Sequence, residues 1–499
     1  MSRAATIGAL FRSAIARHSD REAIVYRDTR WTYRELGDRV RTGSEVLMAL
    51  TGTVPKRVAI VGANHPAYVV AYFAAQTLGA STVEIGRDES LDAIRRAVAS
   101  SDAEAVLTDR PDLLAASGSV PALGFDALLS ACESGPPRRL WQRLNEPVGM
   151  PDAEASVVFT SGTTGSPKGV MLSQRNALFV VYAVCEYLEL TPQDRYALVL
   201  PLAHTYGKSN LLSALASGAA VVFVERPQDT VAFFGFMAQE RCTVLSVVPF
   251  HLNVLARRGV PESIDLTTLR AITTSGGPLP DDAVRAVASL LPHAQLYSMY
   301  GLTESATRVT YLPPEWLPSK PGSVGRPLPG VRIEIRDDEG RALPAGTTGH
   351  VFVDGPNVMR GYLGEPEQTA ATLVDGWLRT GDIGYLDADD CLFLTGRDKD
   401  IIKVAGERIS PVEIEEVITQ HPDVAEAAVL GMPDRLLGET VWAYIVPQPG
   451  VHDMNDVAAF CAARLSPHKV PRRFVSIMQI PRTSTGKVRR HMLKGLSHE

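Results

Sequence analysis

From residue 57 onward the chain alternates short apolar runs with helical patterns, and that alternation limits it to a few architectures. Residues 57–62 read as a buried strand, 67–78 as an apolar helix, 81–85 as a second strand, 91–99 as a second helix and 103–107 as a third strand. The rhythm returns with strands predicted at 219–224, 244–248, 269–273 and 295–297, and helices at 230–239 and 281–290. This order predicts parallel sheets covered by helices, with ligands beyond the carboxyl ends of the strands.

At 499 residues the chain is too long for one ordinary core. Its texture changes between about 322 and 394 to alternating β segments and turns, clearest at 331–335 before Asp337-Asp338-Glu339-Gly340. After Arg397 a mixed segment begins, where Ser410 as cap, Pro411 in the first turn and Glu413 as partner of a capping box predict a helix start. The expected fold is α/β. Residues 1–397 form a large N-terminal domain of parallel, helix-covered sheets with a β-rich part, and residues 398–499 a small C-terminal α+β domain.

One loop stands out chemically. Residues 160 to 170 read Thr-Ser-Gly-Thr-Thr-Gly-Ser-Pro-Lys-Gly-Val and follow an apolar, strand-like stretch at 155–159. Glycines let backbone N–H groups converge on an anion, Thr160, Ser161, Thr163, Thr164 and Ser166 add neutral donors, and Lys168 adds charge. A flexible linker explains neither the preceding strand nor the single Pro-Lys. It is not a P-loop, because Lys168 follows Pro167 and precedes Gly169. The second Gly-Lys, Gly486-Lys487, has Pro481 in place of the first glycine and Val488 in place of the magnesium-binding hydroxyl.

Composition narrows the class. Hydrophobic residues make up 45% and charged residues 21%, as in a soluble globular protein. Acidic residues exceed basic ones by 56 to 50, so there is no electrostatic case for nucleic acid. Cys132, Cys185, Cys242, Cys391 and Cys461 are scattered without metal-like pairing, which suits buried thiols in a reducing cytoplasm. Arg12, Arg17 and Arg21 interrupt any signal-peptide core, and the most apolar stretch, 67–80, is too short to span a bilayer. The expectation is a cytoplasmic protein with no integral membrane segment. Oligomeric state is not legible.

Three weaker clusters complete the pattern. Ser298-Met299-Tyr300-Gly301-Leu302-Thr303-Glu304 follows a strand, so Thr303 and Glu304 should sit at its carboxyl end, where a carboxylate suits a phosphate-bound Mg²⁺. Trp377-Leu378-Arg379-Thr380-Gly381-Asp382 puts Asp382 on an expected turn, able to accept from a ribose diol. Gly396-Arg397-Asp398-Lys399-Asp400 packs alternating charge beside the domain boundary. In order and spacing, and with the loop at 160–170, these clusters resemble the adenylate-forming superfamily of acyl-CoA synthetases, peptide-synthetase adenylation domains and luciferase-like enzymes. The likeness runs from Trp31-Thr32-Tyr33-Arg34-Glu35-Leu36 to Gly486-Lys487 and is nearest to a stand-alone, AMP-forming acyl-CoA synthetase.

The resemblance implies two half-reactions. A carboxylate attacks the α-phosphorus of ATP, giving acyl-adenylate and pyrophosphate; a thiol of coenzyme A, or of a carrier protein's phosphopantetheine, then takes the acyl group and expels AMP. Thr160, Ser161, Gly162, Thr163, Thr164, Gly165 and Lys168 would cradle the β- and γ-phosphates. Thr303 would contact phosphate, Glu304 would hold Mg²⁺, and Asp382 and Arg397 would grip the ribose. Gly276, Gly277 and Pro278 would lie along adenine and acyl group, with Tyr300 beside the base. Lys487 would bridge the attacking carboxylate and the α-phosphate. The C-terminal domain would be mobile about Lys399, with Lys403 and Gly406 lining the thiol's approach.

For the acid, the resemblance places His204, Tyr206, Lys208, Ser275 and Met299 at the acyl pocket. Amino-acid-activating relatives carry an aspartate just after the His204 position; Thr205 here favours a plain carboxylic acid over an α-amino acid. Met299 stands where aryl-activating relatives often have glycine, which disfavours a large rigid aryl acid. Lys208, where an apolar residue is common, would bind a second polar group on the substrate or point to solvent. The solvent reading is preferred because lysine usually extends its ammonium outward. The basic tail, with Arg472, Arg473, Arg489, Arg490 and Lys494, suits either CoA phosphates or an acidic acyl carrier protein. A carrier-loading ligase is the alternative to an acyl-CoA synthetase, and a non-catalytic nucleotide-binding protein the remote one.

Overall fold

A computed structural model describes residues 3–116, 118–134, 149–160, 168–225, 229–277, 279, 281–405, 407–450, 455–482 and 488–495. Three sheets organise them. The seven-stranded sheet runs in the order Gly361–Tyr362, Lys168–Ser173, Glu154–Thr160, Ser81–Ile85, Arg57–Val61, Ala105–Thr108, Ala122–Gly124. Its pairs are antiparallel at the Gly361–Tyr362 end and parallel from Glu154–Thr160 onward.

The 14-stranded sheet has a parallel centre of Gln295–Tyr300, Ala271–Thr274, Val244–Val247, Arg195–Leu198, Ala220–Phe223 and Glu22–Tyr26. The predicted β-rich region is not a separate layer. Thr310–Leu312 and Ser323–Pro327 join it to the parallel centre, so Leu392–Arg397, Trp377–Leu386, Gly349–Asp354 and Arg332–Arg336 extend the same sheet in antiparallel fashion.

Period-two alternation sorts each strand's side chains onto two faces. Val58 and Ile60 enter the largest apolar cluster, which lies between the two sheets with the helices Pro66–Leu78 and Thr205–Ser217. Their neighbours Ala59 and Val61 join a second cluster under the helix Leu91–Ser100. The same division holds in the larger sheet, where Tyr196 and Val221 face inward while Ala197 and Val222 pack toward Phe233, Leu252 and Val287. The five-stranded sheet of Glu407–Ile409, Ile402–Val404, Gly438–Pro447, Val424–Asp434 and Arg473–Ser476 carries its own cores.

Helix limits have local causes. Thr32 and Glu35 form a reciprocal capping box at the start of Tyr33–Thr51. Pro66 opens Pro66–Leu78, and Gly79 closes it at φ 80°, a left-handed cap that suits glycine. The helix Ile7–His18 accounts for the spacing of Arg12 and Arg17.

Two local expectations are corrected. Ser410 precedes the helix Pro411–Thr419 but makes no side-chain cap. Its hydroxyl donates to the Thr395 carbonyl of the larger sheet, and Glu413 pairs with Lys469 at 2.6 Å instead of closing a capping box. Asp382 is not on a turn: it lies inside Trp377–Leu386, in register with Arg397. Gly381 at φ 74° gives that strand its turn-like spelling. Among the described residues no helix is long and apolar enough to cross a membrane. The five cysteines are free thiols, and burial pushes those of Cys185 and Cys242 up to about 12.

Candidate active site

Lys168 begins the strand paired antiparallel with Glu154–Thr160 and stands opposite Thr160, so the two strands meet at the base of the phosphate-loop segment. Ser161, Gly162, Thr163, Thr164 and Gly165 lie outside the described residues, as do Pro278, Gly406 and Lys487. The Lys168 ammonium lies 5.3 Å from the ring centroid of Tyr362. The Tyr362 hydroxyl in turn donates to Glu304 Oε1 at 2.9 Å. Thr303 and Glu304 occupy a single 3₁₀ turn at the carboxyl end of Gln295–Tyr300, as the strand pattern requires. Lysine, carboxylate and tyrosine from three distant segments are thereby brought together. Tyr362 was missed by sequence reasoning, since an aromatic between Gly361 and Leu363 reads as core.

A second cluster lies along the next strands. The Tyr300 hydroxyl donates to Asp382 Oδ2 at 2.5 Å, and Arg397 Nε to Asp382 Oδ1 at 2.8 Å. Asp382 is buried, and burial with the adjacent carboxylate pushes the Tyr300 hydroxyl far above the usual phenol range. The carboxylate is thus held on both oxygens, each with a lone pair remaining. Gly276 and Gly277 follow Ala271–Thr274 at the same carboxyl rim, and Ser275 is buried beside them.

The segment expected at the acyl pocket is built by a tight turn. His204 stands at the amino end of Thr205–Ser217, and a Cβ at Gly207 would meet the Pro201 carbonyl oxygen at 2.3 Å. The Tyr206 hydroxyl shares a 2.9 Å hydrogen bond with Thr273 Oγ1. Met299 is buried, with Tyr187 donating to its sulfur at 3.0 Å.

Lys208 does not point to solvent. It is 4% exposed, its ammonium lies 2.6 Å from Glu84 Oε1, and it donates to Ser156 Oγ at 3.2 Å. Burial pushes the Glu84 carboxyl up and the Lys208 ammonium down, each opposed by the attraction of the other. Thr82 also donates to Glu84 Oε1, at 2.6 Å. A glutamate inside the apolar strand Ser81–Ile85 was the readable sign of a buried carboxyl that must either keep its proton or find a partner.

Lys399 sits in the 3₁₀ turn Asp398–Asp400 between the end of the larger sheet and the first strand of the five-stranded one. A cleft of about 460 Å³ there is lined by Asp398, Lys399, Ile401, Lys403, Gly438 and Glu439. The Lys403 backbone N–H donates to Glu439 Oε2 at 2.7 Å.

Residues 11–363 match the family model described as AMP-binding enzyme, and residues 413–487 that of the AMP-binding enzyme C-terminal domain. The chain belongs to the AMP-binding enzyme family. Among its relatives is a 2-succinylbenzoate–CoA ligase of Bacillus pumilus, 32% identical over 477 residues and 95% of each chain. An indoleacetate–CoA ligase of Aromatoleum aromaticum is 36% identical over 375 residues, 75% of this chain and 72% of that one. The solved O-succinylbenzoate coenzyme A synthetase of Bacillus subtilis, in complex with ATP and magnesium ion, superposes with a TM-score of 0.86 at 29% identity, covering 97% of this AMP-binding enzyme and 99% of that chain. The resemblance drawn from the motifs is borne out, as is the α/β fold with a large N-terminal and a small C-terminal domain.

Proposed function

We propose that this chain is an ATP-dependent acid–thiol ligase that converts a carboxylic acid to its acyl-adenylate with release of pyrophosphate, then transfers the acyl group to coenzyme A. The observation that carries the reading is the convergence of Lys168, Tyr362 and Glu304, and of Tyr300, Asp382 and Arg397, from segments scattered between residues 168 and 397. In this reading Lys168 and the loop before it bind the departing phosphates. Asp382, oriented by Tyr300 and Arg397, accepts from the ribose diol. Tyr362 holds Glu304 by one carboxylate oxygen and leaves the other for a metal. That suits Mg²⁺, which takes one or two protein carboxylates and completes its shell with water and phosphate. Mg²⁺ there would neutralise charge on the leaving phosphates.

Lys487, assigned on motif alone, would draw the carboxylate toward the α-phosphate. The cleft beside Lys399 and Lys403 would admit the pantetheine arm, and the turn Asp398–Asp400 would serve as hinge between residues 1–397 and 398–499. Free thiols suit a reducing, cytoplasmic setting. The relatives' names span indoleacetate, 2-succinylbenzoate, oxalate and ferulate, so they do not name the acid.

The test is an acid-dependent pyrophosphate-release screen, with the best acid repeated in the presence of CoA. Thioester and AMP should form, and Glu304→Gln should lower pyrophosphate release by about 10²–10³-fold, the usual effect of losing one charge-stabilising group. Adenylation without CoA transfer, but with transfer to a phosphopantetheinylated carrier, would replace the acceptor. No acid-dependent release would overturn the assignment.

A further inference from the structure

Behind the expected acyl pocket lies a cation with no counter-ion among the described residues. Arg308 is 0% exposed. Its Nε donates to the Tyr187 hydroxyl at 3.3 Å, and Nη1 to the carbonyl and hydroxyl oxygens of Thr307 at 3.1 and 3.3 Å. The guanidinium carbon lies 4.3 Å from the Tyr206 ring centroid. Nη2 has no hydrogen-bond partner among the described residues. Three other buried charges are matched, Lys208 by Glu84, Asp194 by Arg270 and Glu240 by Arg195, while Glu45, buried on the helix Tyr33–Thr51 with neither carboxylate oxygen hydrogen-bonded, is a carboxylate that can take up a proton. Arginine cannot relieve the deficit by losing its proton, and an unpaired buried charge is among the costliest features a fold can hold.

The backbone gives this side chain little choice of place. Val309 N–H donates to the Tyr300 carbonyl at 2.8 Å, which starts the antiparallel strand Thr310–Leu312 beside the strand carrying Met299. The two residues before Arg308 are left-handed, Ala306 at φ 49° and Thr307 at φ 80°, a conformation unfavourable for β-branched threonine. Arg308 is therefore held against Tyr206 and, through the shared Tyr187 hydroxyl, against Met299. Both belong to the segments expected to enclose the acid. Hydroxyls run on from Tyr206 through Thr273 and Ser246 to Tyr196 at 2.9, 2.7 and 2.7 Å. Each can rotate to donate or accept, so the surroundings are polar and uncharged.

We propose that Arg308 receives the second carboxylate of a dicarboxylic acid substrate, so that the enzyme adenylates one carboxyl while the other is held on the guanidinium. This rests on the ligase reading above. A carboxylate brought to Nη2, which is buried in this structure, supplies a counter-charge that the described residues lack. Lys208, the other cation of this region, cannot take that role because Glu84 already neutralises it.

The experiment compares acid-dependent pyrophosphate release for dicarboxylic acids against monocarboxylic acids of matched length and shape, with the whole chain. The best diacid should exceed its matched monoacid by about 10²-fold or more in kcat/KM. Arg308→Met should lower the diacid-to-monoacid ratio by about 10²–10³-fold, the usual loss on truncating one partner of a buried charge pair. Arg308→Lys should restore part of the ratio. A purely structural arginine lowers both acids together and leaves the ratio unchanged, which overturns the proposal while the ligase reading stands. Wild-type enzyme that turns over monoacids as well as diacids overturns it equally, whether or not the variants fold. Release with no acid of either class removes the ligase reading and this inference with it.

Discussion

Glu84 and Lys208 show why single residues here must be judged as pairs. Separated from water they cost desolvation, and together they recover part of it. Lys208→Met leaves Glu84 buried without a counter-charge, bonded only by Thr82 and with Oε2 already lacking a partner, and should destabilise the fold by about 3–5 kcal/mol. Adding Glu84→Leu should recover most of that loss, since paired apolar replacements are often neutral or stabilising. Denaturant unfolding of the two single variants and the double variant measures the coupling, and additive losses would exclude it. Gly207 carries a different constraint. A Cβ there meets two carbonyl oxygens, of Pro201 at 2.3 Å and Leu200 at 2.6 Å, and backbone cannot swing aside as a side chain can. Gly207→Ala should cost about 1–3 kcal/mol by overpacking and should weaken acid activation by displacing His204 and Tyr206. Thermal unfolding and pyrophosphate release read the two effects.

Among the elements, the antiparallel pair Trp377–Leu386 and Leu392–Arg397 does two jobs. Its register sets Asp382 opposite Arg397, and its end leads directly into the turn Asp398–Asp400. The proposed ribose site and the proposed hinge are thus neighbours in one hairpin, and rotation about Lys399 would move the five-stranded sheet without disturbing Asp382. Lys399→Pro narrows φ at that turn. It should shift the ratio of adenylate formation to thioester formation from supplied acyl-adenylate, as expected when a domain movement separates two steps. An unchanged ratio of the two rates would remove the hinge assignment.

At the scale of the whole molecule, the network around Asp194 lies at the amino rim of the larger parallel sheet, opposite the rim that carries Ser275 and Thr303. Asp194 precedes Arg195–Leu198 and accepts from Arg270 Nε and Nη2 at 2.8 and 2.9 Å, from Thr243 Oγ1 at 2.6 Å and from Thr191 N–H at 2.8 Å. It ties together the amino ends of three parallel strands. Burial works to raise its pKa, but the bonds from Arg270, Thr243 and Thr191 outweigh it and hold the carboxyl below the usual aspartate range. A depressed folded-state pKa means that the unfolded chain binds the proton more tightly in acid. The stabilisation is therefore complete above the unfolded pKa of about 3.9 and is lost as pH falls through the lower folded value. Asp194→Asn should cost about 1.5–3 kcal/mol at neutral pH, as for hydrogen bonds to a charged group, and should flatten the acid limb of stability against pH. Unfolding midpoints from pH 7 down to 3 test this, and parallel curves for the two proteins would refute it.

How much was legible follows from the range of each interaction. Apolar periodicity, proline and glycine act within a turn or a strand, so the helices Thr230–Gln239 and Asp281–Leu290 and most parallel strands could be read directly, whereas Glu22–Tyr26 and Arg195–Leu198 and the order of strands in the sheet were not. Ser410 misled because its hydroxyl bonds to Thr395 across the domain boundary, and Asp382 because Gly381 spells a turn inside a strand. By its own pattern the sequence determined an α/β chain and the carboxyl-rim positions of Thr303 and Glu304. Only tertiary structure decided that Lys208 is buried against Glu84, that Tyr362 orients Glu304, and that Arg308 is buried against Tyr206 with no counter-ion among the described residues. Charge becomes costly only where water is excluded, and which residues lose their water depends on contacts between segments far apart in the chain.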